Sequence, residues 1–308
     1  MMKIAMTGAN GFLGRRFIEK VVQKGHSISA LVGPGDSSLQ KVENVSLVHG
    51  SLENSQDEAR RVLEGSEVFI HMAALGVQSR DRSWDKMIEV NCAQPLKWLD
   101  VAKEVRVNKV IAIGTALEYE GFGDLPGDNP YPDGDYPLCD EYASLECSDP
   151  YGATKAAGGI MLRSYAKSID LPLVYLRLAS MYGPNDDPKK LIPAAVYAAQ
   201  NRSSFQMSAG EQVRDWLHVD DAIEAILKSV ETESKTGIIY NVGTGEGISI
   251  RKLVEQIFTK CNAPVSLIKF GAYKYRKNEK RFLVLDGERF MKDHQWHIRN
   301  KITNDSWN

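Results

Sequence analysis

Short apolar runs rich in β-branched residues alternate along this chain with longer stretches whose apolar positions recur at helical spacing. Residues 3–7 (KIAMT) read as a strand, Phe12 to about Lys24 as a helix and residues 27–32 (SISALV) as a second strand, together a βαβ unit. The alternation continues with strands at 45–49, 68–72, 110–114 and 173–178, and with helices near 55–64, near 84–104 and from about Tyr151. Such a pattern predicts an α/β fold: a doubly wound parallel sheet, covered on both faces and joined by right-handed crossovers. After Tyr182-Gly183-Pro184 the elements become shorter and mixed, which predicts a smaller α/β lobe at the carboxyl end. The expected division is residues 1–176, with 212–242 returning to them, and a lobe over 177–308. Residues 120–150 hold five prolines and a surplus of acids, too long and irregular for an ordinary connection. They read either as a functional loop or lid, or as an exposed insertion.

Composition narrows the class. The 308 residues are enough for a sizeable core, and 43% hydrophobic with 25% charged is globular. Thirty-eight basic against 40 acidic side chains leave a net charge of −2, with no global pull toward nucleic acid or anionic lipid. No run reaches the ~20 apolar residues of a membrane span, and the amino terminus meets glycine before any apolar stretch of signal length. Cys92, Cys139, Cys147 and Cys261 form no CxxC pair, which argues against a disulfide framework or zinc ribbon and fits a reducing cytosol. His294 and His297 lack a third ligand at usable spacing, so no metal site is expected.

The first strand runs directly into Thr7-Gly8-Ala9-Asn10-Gly11-Phe12-Leu13-Gly14. Gly8 permits a tight turn, Gly11 lets backbone approach a pyrophosphate, and Gly14 lets helix pack closely on strand. The amino end of the following helix offers N–H groups and a positive dipole end. This is the setting of a Rossmann-type dinucleotide site.

The spacing here is G-x-x-G-x-x-G, and with it the sequence resembles the extended short-chain dehydrogenase/reductases, the epimerase/dehydratase family that modifies sugar nucleotides. HMAA (71–74), GTALEY (114–119), YGATK (151–155), RLASMYGP (177–184), RDWLHVDDA (214–222) and YNVGTGEGISI (240–250) follow in the family's order. The resemblance implies a cofactor-contacting set of Gly8, Asn10, Gly11, Phe12, Leu13, Gly14, Val32, Ser51, Leu52, Met72, Ala73, Ala74, Asn91, Tyr151 and Lys155. At the end of the second strand, Val32 stands where dinucleotide folds carry an acid for the adenosine ribose, and Gly33 follows. Asp36 lies farther out, with Ser37, Ser38 and Lys41 as candidate phosphate partners. A plain surface turn is the other reading of this loop; the expectation adopted is NADP(H) over NAD(H).

Tyr151 and Lys155, four apart at a helix start, share a face. A neighbouring ammonium favours the phenolate and is expected to pull the tyrosine pKa down toward neutrality, which suits proton transfer beside a hydride site. Thr115 ends a strand at the sheet's carboxyl edge and, by resemblance, holds the reacting substrate oxygen against Tyr151. In the family's 4,6-dehydratases an Asp-Glu pair follows this threonine; here Ala116-Leu117 stand instead. Glu118 is similar to what 4-keto-6-deoxy-sugar reductases carry, although a glutamate at a strand exit is more often solvated. On the substrate side, Ser180 replaces a family asparagine, and Arg214 and Arg276 match arginines that clamp a nucleotide diphosphate.

The resemblance therefore implies an NAD(P)-dependent enzyme of nucleoside-diphosphate sugars, a 4-keto-6-deoxy reductase or a 4-epimerase. The alternative of another class is a dinucleotide-sensing scaffold without turnover, against which the intact Thr115, Tyr151 and Lys155 speak. A homodimer is expected through the helices near 84–104 and 151–169, because Trp84, Met87, Ile88, Leu96, Trp98, Leu99 and Val101 exceed one core-facing stripe.

Overall fold

The computed structural model describes residues 1–40, 42–52, 56–77, 82–131, 135–147, 149–233, 235–302 and 307; Lys41 lies outside them. In chain order the elements begin β1 (Lys3–Thr7), α1 (Phe12–Gln23), β2 (Ser27–Val32), β3 (Val45–His49), α2 (Gln56–Leu63), β4 (Val68–His71), α3 (Trp84–Ile88), α4 (Gln94–Glu104) and β5 (Lys109–Thr115). They continue with β6 (Phe122–Leu125), α5 (Pro150–Ser168), β7 (Leu173–Leu178), β8 (Ser180–Tyr182), α6 (Leu191–Gln200), β9 (Phe205–Gln206) and β10 (Val213–His218). Last come α7 (Val219–Glu231), β11 (Ile238–Val242), β12 (Gly247–Ser249), α8 (Ile250–Lys260), β13 (Ile268–Lys269), β14 (Glu279–Leu283) and α9 (Glu288–His294).

These elements form two compact units. The first comprises Met1–Glu118, Cys147–Arg177 and Ile223–Tyr240; the second comprises Tyr119–Glu146, Leu178–Ala222 and Asn241–Asn308. The segment 119–146 therefore sits with the second unit, and only 223–240 of the stretch 212–242 returns to the first.

In the first unit a seven-stranded sheet runs β11-β7-β5-β4-β1-β2-β3, and its pairings from β3 through β5 are all parallel. The chain builds outward from β1 in one direction and then returns to build from β4 in the other, so the strand order reverses between β1 and β4. That reversal opens a crevice at the carboxyl ends of the strands. The register aligns Thr7 with His71 and His71 with Ala112, so the segments that follow β1, β4 and β5 leave the sheet side by side. The interior of β5 is wholly buried, as expected for a strand covered on both faces. Leu13, Phe17, Ile18 and Val21 of α1 supply one cover, and Phe69 stacks on Trp98 on a core shared with α2, α4 and α5.

The long helix anticipated at 84–104 is interrupted by a π turn at Glu89–Ala93. Pro95 has no N–H to offer the carbonyl of Asn91, so the regular helical ladder cannot close there. Of the apolar residues counted for a dimer face, Met87, Trp98, Leu99 and Val101 are buried in the subunit's own core, whereas Trp84 and Ile88 remain exposed.

The second unit carries a mixed sheet, β12-β10-β14-β6, with β8 also pairing β10. The proline-rich stretch contributes to it directly: β6 pairs antiparallel with β14, and Cys139 bridges to Leu285. Phe122–Leu125 and Cys139 are thus tied into the sheet of the second unit. A separate apolar cluster joins α6 and α8 through Ile192, Val196, Leu253, Ile257 and Phe258. Among the described residues no helix is long and apolar enough to cross a membrane.

Candidate active site

The glycine-rich segment takes its shape from backbone alone. Gly8 adopts φ +78°, in the left-handed region, and its carbonyl accepts from Gly11 N at 3.1 Å. A Cβ on Gly14 would lie 2.1 Å from the Gly8 carbonyl oxygen, so α1 packs on the turn only because that residue has no side chain. Gly11 is exposed and caps α1, and being glycine it offers no side-chain hydrogen bond to the helix end. The first turn of α1 thus presents a positively polarised amino end beside a residue with no Cβ, a cradle that fits a pyrophosphate. Phe12 is half-buried and Leu13 buried beneath it.

The ribose side differs from the expectation built on Val32. That residue is 2% exposed, so its side chain belongs to the packing of the sheet. After it the chain folds back through a turn in which Asp36 N donates to Gly33 O at 3.1 Å. The Asp36 carboxylate then accepts from Asn10 Nδ2, in the glycine-rich segment, and from Ser38 N and Oγ at 2.8 and 2.6 Å. The Ser38 bonds above all, with the Arg15 guanidinium and Asn10 adding, hold Asp36 below the usual carboxylate range. Arg15 itself donates to Asn10 O at 2.9 Å and to Ser38 Oγ at 3.3 Å. A carboxylate is therefore present at this end of the cradle, four residues later than the position where it was sought.

Ser51 and Leu52 follow β3 and are half-buried. Met72, Ala73 and Ala74 follow β4, with Met72 N bonded to Thr7 O and Ala73 N to Thr7 Oγ1, both at 3.3 Å. Thr7 Oγ1 also lies 2.9 Å from Nδ1 of the buried His71, whose pKa burial and the nearby Lys155 ammonium push down to about 3. Asn91, within the π turn, has its carboxamide engaged by protein atoms: Leu75 N at 2.8 Å, Leu75 O at 2.9 Å and Thr154 Oγ1 at 3.0 Å. It braces the segment after β4.

Tyr151 and Lys155 occupy the first two turns of α5. Asp149 caps that helix, accepting from Tyr151 N at 2.9 Å and Gly152 N at 3.2 Å, with Pro150 in the first turn. Both side chains are buried, at 9% and 4% exposure. Burial pushes the Tyr151 phenol well above its ordinary value; Glu118 and Asp149 add to this and Arg82 opposes it. Lys155 is not among the charges that act on the phenol in the chain by itself, and the direction there is upward. Burial pushes Lys155 down, while Glu118 and Cys92 draw it back up. Thr115 closes β5 at the same edge of the sheet, its hydroxyl accepting from Leu117 N at 3.3 Å. The two positions after it, Ala116 and Leu117, bring no carboxylate.

Glu118 is not solvated. It is 0% exposed; one oxygen accepts from Thr115 N at 2.9 Å and from the Tyr175 hydroxyl at 2.8 Å, the other from Arg177 Nε at 2.7 Å. The same residue thus touches the threonine's backbone and acts electrostatically on both Tyr151 and Lys155.

Ser180, Arg214 and Arg276 belong to the second unit. Ser180 lies on β8 opposite Trp216. Arg214 is engaged by Glu279 and by the carbonyls of Val213, Lys280 and Arg281, and the charge of Arg276 bears on it, so two of the predicted arginines are neighbours. Arg276 is exposed. Asp215, which the motif reading passed over, is buried and accepts from Thr244 N and Oγ1, the latter at 2.6 Å; burial lifts its pKa to about 6. Among the described residues no group of three or more His, Cys, Asp or Glu is placed to hold a metal ion.

The comparisons agree with this geometry. The model of the NAD dependent epimerase/dehydratase family matches residues 4–243. The dTDP-glucose 4,6-dehydratase of Salmonella typhimurium is 27% identical over 280 residues, covering 85% of this chain and 76% of that protein. Among solved structures, DesIV, a dTDP-glucose 4,6-dehydratase from Streptomyces venezuelae with NAD bound, matches with TM-score 0.83 at 23% identity over 97% of this chain and 93% of that one. The UDP-glucose 4-epimerase of Thermotoga maritima matches with TM-score 0.83 at 22% identity, over 98% and 95%. At those identities the structural likeness is one of fold, and it is the family model, spanning most of the chain, that places the protein in the NAD-dependent epimerase/dehydratase family.

Proposed function

We propose that this protein is an NAD(H)-dependent oxidoreductase that reduces the 4-keto group of a nucleoside-diphosphate 4-keto-6-deoxy sugar. The observation that carries the reading is the set Thr115, Tyr151 and Lys155 at one sheet edge, with no acid pair in the two positions after the threonine. Dehydration needs carboxylates to remove and return protons, and Ala116 and Leu117 offer none. Carbonyl reduction needs one proton donor, and the Tyr151 hydroxyl can serve as it.

When bound, the dinucleotide supplies the hydride. The chain's own residues do the rest. Gly11 and the amino end of α1 hold the pyrophosphate, and Asp36 and Asn10 meet the adenosine ribose. Thr115 orients the substrate oxygen by its hydroxyl, and Tyr151 gives that oxygen its proton. Lys155, one helical turn after Tyr151, supplies the positive charge that eases loss of the proton as negative charge develops. Arg214 and Arg276 bind the diphosphate, with Ser180 beside the strand that carries Arg214. Asp36 is also the reason for favouring NAD(H) over the NADP(H) expected from Val32: a carboxylate at the ribose repels a 2′-phosphate.

A second reading, 4-epimerisation, draws support from the same absence of an acid pair and is distinguished by stoichiometry. Incubation with NADH and a panel of 4-keto nucleoside-diphosphate sugars, followed by absorbance of the reduced nicotinamide, is expected to show one NADH consumed per sugar. An epimerase returns its hydride and shows no net change, and a sensing scaffold binds dinucleotide without turnover. The reading includes a cytoplasmic homodimer, in which Trp84 and Ile88 meet a second copy together with Ile160 and Met161 of α5, all exposed on the single chain.

A further inference from the structure

The geometry points to Glu118 as the positioning residue of the active site, one buried carboxylate that holds the catalytic threonine and the catalytic helix to a common frame. The inference rests on the roles given above to Thr115, Tyr151 and Lys155.

Three contacts converge on this side chain, all within the first unit. Its Oε1 accepts from Thr115 N at 2.9 Å, closing a short turn over 115–118 that fixes how the threonine leaves β5. The same oxygen accepts from the Tyr175 hydroxyl at 2.8 Å, and that hydroxyl lies 3.1 Å from the backbone carbonyl oxygen of Lys155, sharing its proton between the two. Its Oε2 accepts from Arg177 Nε at 2.7 Å, which supplies the counter-charge a fully buried carboxylate requires. One oxygen therefore connects the strand bearing Thr115, through β7, to the turn of α5 bearing Lys155.

The surroundings leave little slack. A Cβ on Gly114 would lie 2.4 Å from Glu118 Oε1, and a Cβ on Gly152 would lie 2.0 Å from the carbonyl oxygen of Leu117. The helix that carries Tyr151 thus rests directly on the turn that ends in Glu118. Reaction geometry depends on such seating, because a misplacement near 1 Å can cost on the order of 100-fold in rate.

Removing Glu118 alone would strand the buried Arg177, so the test uses two charge-neutral pairs. Glu118→Leu with Arg177→Met removes both the ion pair and the acceptor; Glu118→Gln with Arg177→Met removes the ion pair and keeps an acceptor oxygen. Replacing a buried ion pair by apolar residues is commonly tolerated. With NADH and dTDP-4-keto-6-deoxyglucose as the probe, the Leu/Met protein is expected to lose at least about tenfold in kcat with KM and NADH affinity unchanged. The Gln/Met protein should recover most of that loss. Hydrogen exchange should show the amide of Thr115 and the segment 150–160 loosened in the first pair and protected in the second. A merely structural ion pair would affect both proteins alike. Two folded variants with equal kcat and equal exchange would overturn the inference. Tyr151→Phe serves as the separate control: if it turns over like the parent, or if the parent reduces no sugar of the panel, the catalytic reading fails, while the exchange comparison still decides whether Glu118 couples the two segments.

Discussion

Acidification from pH 7 to pH 5 is expected to act on this protein through two buried groups of opposite sense in particular, His71 and Asp215. His71 is buried against Thr7 and held at about 3, against an ordinary value of 6.5. The unfolded chain takes up a proton there near pH 6.5 and the folded chain does not, so the contribution present above 6.5 is lost as pH falls through the window from 6.5 toward 3. Between pH 7 and pH 5 the loss amounts to about 2 kcal/mol. Asp215 is buried and raised from 3.8 to about 6. Here the folded chain takes the proton first, so stability is gained as pH falls from about 6 toward 3.8, by about 1 kcal/mol over the same interval. Between these two groups the parent keeps a net loss of about 1 kcal/mol. His71→Gln should make the protein gain apparent stability between pH 7 and pH 5 relative to the parent, and Asp215→Asn should make it lose more than the parent does. Urea unfolding of each protein at both pH values gives the comparison, and the intrinsic cost of each substitution cancels within a protein. A His71→Gln variant with the parent's pH dependence would refute the assignment.

Other outcomes follow from particular contacts. Asp36→Asn should shift the ratio of NADPH to NADH affinity on the order of tenfold toward NADPH, read by titration of both dinucleotides; Val32→Asp should instead lower thermal stability without moving that ratio, because its side chain lies in the sheet packing. Asp149→Ala removes the cap of α5 and the ion pair with Arg82, and should cost about 1 kcal/mol in chemical denaturation. Trp84→Glu combined with Ile88→Glu should give a monomeric mass by light scattering where the parent gives a dimer; a parent that is itself monomeric at micromolar concentration would remove the proposed interface.

Much of this architecture is legible in the chain because it is encoded locally. The strand-helix alternation, the glycine turn after β1, and the Tyr151–Lys155 spacing behind an Asp-Pro helix start all depend on neighbours within a few residues. What escapes is what the sheet order decides. Glu118 reads as a surface residue because its partners Tyr175 and Arg177 lie 57 and 59 residues away and reach it only when β7 lies beside β5. Asp36 is misplaced by counting along β2, since the turn after Gly33 brings it back to Asn10. Likewise the stretch 120–150 looks unstructured until β14, more than 150 residues later, pairs with β6. The helix at 84–104 reads as one amphipathic run, but Pro95 forces the π turn that directs Asn91 toward Leu75 and Thr154.

The proposed reaction moves hydride between a nicotinamide and a nucleotide sugar, with Tyr151 supplying the proton. Deuterium at the transferable position of NADH, followed by mass spectrometry of the sugar after incubation with the parent and with Tyr151→Phe, tests it most directly. One deuterium is expected in the reduced sugar with the parent, and a rate lower by on the order of 100- to 10,000-fold with the variant, which still binds NADH. Dinucleotide binding with no deuterium in any sugar of the panel, or an equal rate in both proteins, would contradict it.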